Sequence, residues 1–499
     1  MHDPHTQGFT VGQDFGKVPL IPGAMMIAEP HVRRRCSAAV AFLWISAAAA
    51  GCGTLPFTRN TVMDLRPHYI LAHEDGHPVL ETLEPIGKEI FSIYIREYIL
   101  RGIDGRARQA WAKGEPLRIL VFVHGGLNGY AEDFDRMEKL LAEDSPFQKT
   151  SYYPIFINWN AALGDSILDD LVFIRLGQRM SSPFGRFLGF LSAPFVFAGR
   201  LAQSVINAPS AWWANYDNFQ EGLRSAREEG SDPDFAVRDV AGATVMLPAR
   251  AAILPVLQAF GTPAWEIMKR RAELLVASRL RRDPAGVGEG AARILISHLK
   301  ERIVNAQRGK SHWKIPTEDP NEKESVGPVE VTLVGHSMGA LVVNRILAIP
   351  DLPPVTRIIY LAAASSIDEF EQFVFPYLTR RKDHGLDAEV WAFTLSRLRE
   401  AREVRFYHVL PRGTLLVWID NYFEPSRTPG QQRFGRFRSY QEYYDRLLPG
   451  DVRMVRLDHN IPGAPRNHGD FDEADVFERI LCTVDPGAFP ADCKQYPLP

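Results

Sequence analysis

Only four cysteines occur among 499 residues, and none forms a CxxC pair, which excludes the spacing of a zinc ribbon or a thioredoxin-like motif. No block of basic residues is present and the formal net charge is −3, so no electrostatic footprint for nucleic acid exists. No uninterrupted apolar run reaches the roughly 20 residues that a membrane-crossing helix needs. Internal repeats and low-complexity tracts are also missing. What remains is ordinary for a globular protein, 45% hydrophobic and 23% charged. The length allows two or three domains, or one large core with an insertion.

The N-terminal region carries an address. Arg33, Arg34 and Arg35 precede the apolar segment Cys36 to Cys52, which ends in small residues. A basic region, a short apolar region and small residues form an export signal. Ala49-Ala50-Gly51-Cys52 resembles the lipobox of bacterial lipoproteins, with Ala49 where that family usually has leucine. The resemblance implies cleavage before Cys52, lipidation of its thiol and a membrane anchor. Gly53 in place of aspartate implies the outer membrane, facing the periplasm. Residues 1–24 fit no signal pattern, so translation is expected to start at Met25 or Met26, and residues 1–52 count as leader plus signal. Export permits disulfides. With Cys36 removed and Cys52 lipidated, Cys482 and Cys493 remain, on either side of a Pro/Gly loop, as a candidate bridge.

Strand and helix patterns alternate along the mature chain. YILAHEDGHPVLE reads as a hairpin turning at Glu74-Asp75-Gly76. Arg118 to Gly126 is an apolar strand ending at glycines, AEDFDRMEKLLAE has helical spacing, and YYPIFINWN is the next strand. From about Ala161 the rhythm breaks into long helical patterns and a polar linker, SHWKIPTEDPNEKESVGP. Alternation resumes with VEVTLVGHSMG, VTRIIYLAAA and EVRFYHVL. This order predicts an α/β fold, a mostly parallel central sheet covered by helices on both faces. Residues 60–160 and 326–499 form the expected core, and 161–325 a large, mainly helical insertion.

Gly335-His336-Ser337-Met338-Gly339 is the motif on which a function can be built. A bare G-x-S-x-G is weak, but here a buried-strand pattern precedes it and a helical pattern follows. A sharp strand-to-helix turn holds such a serine strained and exposes its Oγ above the sheet. The chain resembles the α/β-hydrolases, in particular bacterial serine esterases and lipases with a G-H-S-M-G elbow. The resemblance covers Arg118 to Asn160 and Val326 to about Leu481.

The resemblance implies an oxyanion hole and a Ser-acid-His triad. One donor is expected from the backbone N–H of Met338. The second is expected from the His124-Gly125-Gly126 loop, at Gly126, with Leu127 as its neighbour and rival. Among fourteen histidines, His468 precedes a closing helix and is the expected base, with His459 in the same loop region as the rival. His384 reads as surface and His408 as part of a strand. His124 and His336 read as packing or hydrogen-bonding neighbours of the site. The acid is the hardest to place, because Pro411 to Thr414 contain no carboxylate. Asp420 borders an apolar helix face, where an unpaired carboxylate is costly, and is the first choice; Asp368 is the alternative.

The expected reaction is hydrolysis of carboxylic esters through an acyl-enzyme, with small-molecule or lipid esters as substrates and neither metal nor organic cofactor. Two apolar stretches of the insertion, Phe184 to Trp213 and ARAAILPVLQAFGTPAWEIM, predict a cap over the serine. An acyltransferase using the same serine, and a non-catalytic binding lipoprotein of the same fold, remain open alternatives.

Overall fold

The computed structural model describes residues 65–488 and Cys493, except 127–128, 143–144, 146, 149, 176–177, 181, 229–246, 281–287, 306–310, 317–322, 384–386, 404–411, 444–451 and 458–463. The export signal, Cys52, Leu127, His384, His408 and His459 therefore lie outside the described residues.

Twelve strands are described: β1 (Tyr69–Ala72), β2 (Pro78–Val79), β3 (Leu117–Val123), β4 (Tyr152–Trp159), β5 (Ile174–Arg175), β6 (Gln178–Arg179), β7 (Ile303–Asn305), β8 (Ser311–Pro316), β9 (Lys323–His336), β10 (Arg357–Leu361), β11 (Glu389–Leu395) and β12 (Val452–Leu457). Ten of them make one sheet along the path β12-β11-β10-β9-β3-β4-β1-β2, with β7 and β8 branching from β9. The pairs from β12 through to β1 are all parallel, whereas β1–β2, β7–β8 and β8–β9 are antiparallel. This is an α/β architecture with a mixed, mostly parallel sheet. The strands β3, β4 and β10 are buried along nearly their whole length, as strands covered on both faces must be.

The hairpin turns where its sequence predicts, with Leu71 opposite Val79 and Gly76 at φ +86°. The polar linker does not behave as one. Ser311–Pro316 alternates buried and exposed, with Trp313 and Ile315 inside, and it extends the sheet against the first half of β9. The insertion is helical over Pro183–Glu228 and Leu247–Leu275, but the second helix is stitched into the core. Its Trp265, Met268, Ala272 and Leu275 belong to the main hydrophobic cluster. Its Arg271 is buried and donates to the Asn160 carbonyl (3.0 Å), Ser166 Oγ (3.1 Å) and Asp169 (2.7 Å), so it grips the end of β4. All the described residues belong to one compact unit.

Register fixes what meets at the sheet edge. Val123 pairs with Gly335 and Leu361 with His336, so β3, β9 and β10 end side by side at their carboxyl ends. Ligands of open α/β sheets bind outside those ends. The following helix, Gly339–Leu347, is buried at every residue except Arg345, so it packs as a core helix and holds the turn before it rigid. Further along the chain, a disulfide joins Cys482 to Cys493 across a Cα–Cα distance of 5.2 Å.

Candidate active site

Ser337 occupies the turn between β9 and the buried helix with φ +49°, a left-handed conformation that costs a non-glycine residue about 1–3 kcal/mol. Three backbone bonds hold it there. Its N–H donates to the Leu361 carbonyl (2.8 Å), and its own carbonyl accepts from Ala364 (2.8 Å) and Ala340 (3.2 Å). The elbow depends on glycine because a Cβ on Gly339 would strike the carbonyl oxygen of Val123. The strain anticipated from the motif is present, and it is imposed by the loop after β10 as well as by the helix.

Ser337 Oγ lies 2.8 Å from His468 Nε2, the hydroxyl donating to the ring nitrogen. His468 opens a short 3-10 turn, His468–Asp472, just before the helix Ala474–Val484. The turn is set by Asp470, whose carboxylate accepts from the backbone N–H groups of Arg466 (2.8 Å) and Asn467 (2.9 Å). His336 braces it from the elbow side, its Nε2–H donating to the His468 carbonyl (3.1 Å). His336 is thus the hydrogen-bonding neighbour that the sequence suggests.

Glu403 reaches the backbone of His468. Its Oε2 accepts the backbone N–H of His468 at 3.1 Å, and Glu403, His468 and Ser337 are all buried. Glu403 follows β11 and the helix Arg397–Arg402, and its backbone is fixed by bonds to Arg399 and Gly413.

Asp420, the first choice from sequence, is engaged elsewhere. Its Oδ1 accepts from the Arg433 side chain (3.1 Å) and Ser426 (2.9 Å), and its Oδ2 from Arg436 (2.8 Å). It has no hydrogen bond or ion pair to His468 among the described residues. A buried carboxylate does need a partner, but here two arginines supply it. Asp368 is no better placed, being exposed in the first turn of Ile367–Asp383 and packed against Gly430. The arginines serve the site indirectly, since Arg433 also donates to the Ala364 carbonyl (3.3 Å) and so supports the loop that grips Ser337.

Arg436 is shared between Asp420 and the more distant Glu400 (3.6 Å). Burial therefore pushes the Glu400 carboxyl up to about 7. An unfolded glutamate ionises near pH 4.3, so the unfolded chain releases this proton first as pH rises. This group's contribution to stability is greatest below that pH, falls as pH rises towards 7, and is constant above it. Glu400→Gln is expected to remove that slope, worth about 3 kcal/mol over the window. Urea denaturation of both proteins at pH 5 and pH 8 checks it, the variant gaining on the wild type at the higher pH.

The glycine loop after β3, expected from sequence to supply an oxyanion donor, lies against the elbow. A Cβ on Gly125 would come within 2.8 Å of Ser337 Cβ, and one on Gly126 would strike the Met338 side chain. The N–H groups of Gly126 and Met338 have no backbone acceptor among the described residues. His124 fixes the loop, with Nδ1–H donating to the Gly125 carbonyl (2.7 Å) and Nε2 at 2.7 Å from Asp133, which Arg136 also holds (2.9 Å). Gly125→Ala is expected to displace the loop and lower ester turnover by about 10²–10³, the usual loss for an oxyanion donor. A rate assay alongside a melting curve separates this from unfolding.

Ser337 is only 1% exposed. A cavity of about 650 Å³ opens between the two long insertion helices and the 420–438 segment, lined by Trp213, Gln258, Asp420 and Tyr422 among others, but neither Ser337 nor His468 lines it. Among the described residues no group of three or more His, Cys, Asp or Glu side chains could share a metal ion.

The chain matches no protein-family model, no curated protein and no solved structure.

Proposed function

We propose that the protein is a serine hydrolase of carboxylic esters with an α/β-hydrolase fold. The observation that carries the reading is the 2.8 Å contact between His468 Nε2 and a serine held at positive φ between a parallel strand and a buried helix. In this reading His468 takes the Ser337 proton as Oγ attacks the ester carbonyl, then returns it to the departing alcohol. The backbone N–H groups of Gly126 and Met338 meet the developing oxyanion. Water, activated by the same histidine, releases the acid. Glu403 is assigned as the acid on its hydrogen bond to the His468 backbone N–H and on the chain order Ser337, Glu403, His468 expected for such a fold.

A panel of p-nitrophenyl esters of increasing acyl length tests the activity and reads out chain-length preference. Hydrolysis of none of them would count against the proposal. The burial of Ser337 and its absence from the lining of the described cavity favour the non-catalytic alternative, and the same assay decides between them.

The anchoring at Cys52 belongs to the proposal too, on the strength of the lipobox-like Ala49-Ala50-Gly51-Cys52. Cys52→Ser is expected to move the protein from the membrane fraction to the soluble fraction and to leave the thiol position unlipidated by mass spectrometry.

A further inference from the structure

The helix Pro183–Glu228 is built inside out. Toward the protein it turns small or polar residues, with Ser204, Ala208, Ala211 and Asn218 all buried. To the outside it presents Phe184 (70% exposed), Phe187 (57%), Phe195 (80%), Ile206 (72%) and Trp213 (72%). A surface helix in water places its apolar stripe on the core and its charges outward, the reverse of this pattern. Over Pro183–Asn218 the most apolar window reaches a mean hydropathy of 1.2, and the only charged residues are Arg186, Arg200 and Asp217. Two of these are already paired, Arg200 with buried Asp170 and Asp217 with Arg438 at the surface.

We infer that this outer face docks on a lipid bilayer, with the helix lying in the interface and its aromatic residues among the acyl chains. Two features make lipid the occupant. Cys52, the lipidation candidate, is followed by only twelve residues before Leu65, where the described chain begins. Fully extended, that connection spans at most about 45 Å, so the tether keeps the protein surface within reach of the membrane. The aromatic pair Trp212 and Trp213, with Tyr216, also stands where the apolar stretch gives way to Asp217 and Asn218, the arrangement found at membrane–water boundaries.

The helix does not span. At 36 residues the apolar stretch is about 54 Å long, well beyond the roughly 30 Å of hydrocarbon. Its inner face is also committed to the protein. Asn218 donates to the Arg412 carbonyl (3.0 Å), and Phe197 stacks on Phe260 at 4.8 Å. An interfacial helix with a buried apolar face satisfies both constraints. The inference rests on the anchoring reading for its tether and is independent of the hydrolase reading.

Site-directed spin labelling of the full-length protein tests it. Single cysteines carrying a nitroxide replace Phe187, Phe195 and Ile206, with exposed Lys382 as the reference. The protein is held on phosphatidylethanolamine/phosphatidylglycerol vesicles, through its own lipid or by addition of the unlipidated chain. Collision with oxygen, which concentrates in lipid, is compared with collision with a water-soluble nickel chelate. The oxygen-to-nickel ratio is expected to be at least tenfold higher at the three helix positions than at Lys382, and unchanged in a Ser337→Ala background. Equal ratios at all four positions would overturn the inference, and so would exclusion of both reagents, the signature of a second protein copy on that face. The intact mass reports separately whether Cys52 is lipidated, so a failed tether is told apart from a helix that stays out of the bilayer.

Discussion

On the proposed reading, Ser337→Ala is expected to abolish ester hydrolysis, to the level of the uncatalysed reaction plus what the proposed oxyanion loop alone supplies. In serine proteases, loss of a triad member leaves about 10³–10⁴ of catalysis from the rest of the site, so the fall is expected to be several decades. Folding is expected to be unaffected, because the side chain contributes one hydrogen bond and little packing at a turn whose backbone bonds remain. Ser337→Gly sharpens the case. It is equally inactive, yet it relieves the φ of +49° and is expected to raise stability by about 1 kcal/mol. Loss of activity with a gain in melting temperature is hard to obtain from a serine that only completes a turn. Activity near wild type in either variant would end the serine-hydrolase reading.

The second large effect separates two carboxylates. Glu403→Gln keeps the shape and the bond to the His468 backbone N–H, but removes the charge that stabilises an imidazolium. The comparable aspartate-to-asparagine change in a serine protease lowers turnover by about 10⁴, and a loss of that order is expected in kcat with the melting temperature little changed. Asp420→Asn behaves in the opposite way. It breaks a buried cluster with Arg433 and Arg436, and removing one partner of a buried pair typically costs about 3–5 kcal/mol. Denaturation curves should therefore show a marked loss of stability, while the folded fraction keeps turnover within about tenfold of wild type. If Asp420→Asn were the variant that stayed folded and lost turnover, the acid would have to be reassigned.

These two acids mark how far the sequence is legible. Asp420 reads from sequence as a carboxylate that needs a partner, since it sits on the edge of an apolar face, and it is paired. Its partners lie 13 and 16 residues further on and return to it through turns that periodicity does not encode. Glu403 was hidden because EVRFYHVL has the composition of a strand and Glu403 is its first residue. Residues 404–410 of that stretch lie outside the described residues; the strand seen beside β10 is Glu389–Leu395, identified by its pairing with β10 and β12. The elbow at Ser337 is legible for the opposite reason. Strand, tight turn and helix are all local, and each leaves its own mark in Val331 to Leu347. The loop of His468 is legible from its place before a helix pattern, although its closeness to Ser337 spans a sequence separation of 131. The insertion shows the limit of periodicity most clearly. Apolar content predicted helices correctly, but not that one would be woven into the core and the other turned outward.

The most direct measurement is to treat the wild-type protein with a fluorophosphonate probe, digest it, and locate the adduct by mass spectrometry. A single phosphonyl group on Ser337, absent from Ser337→Ala and strongly slowed in Glu403→Gln, is the predicted result. No adduct on the folded protein, or an adduct on another serine, would contradict the assignment.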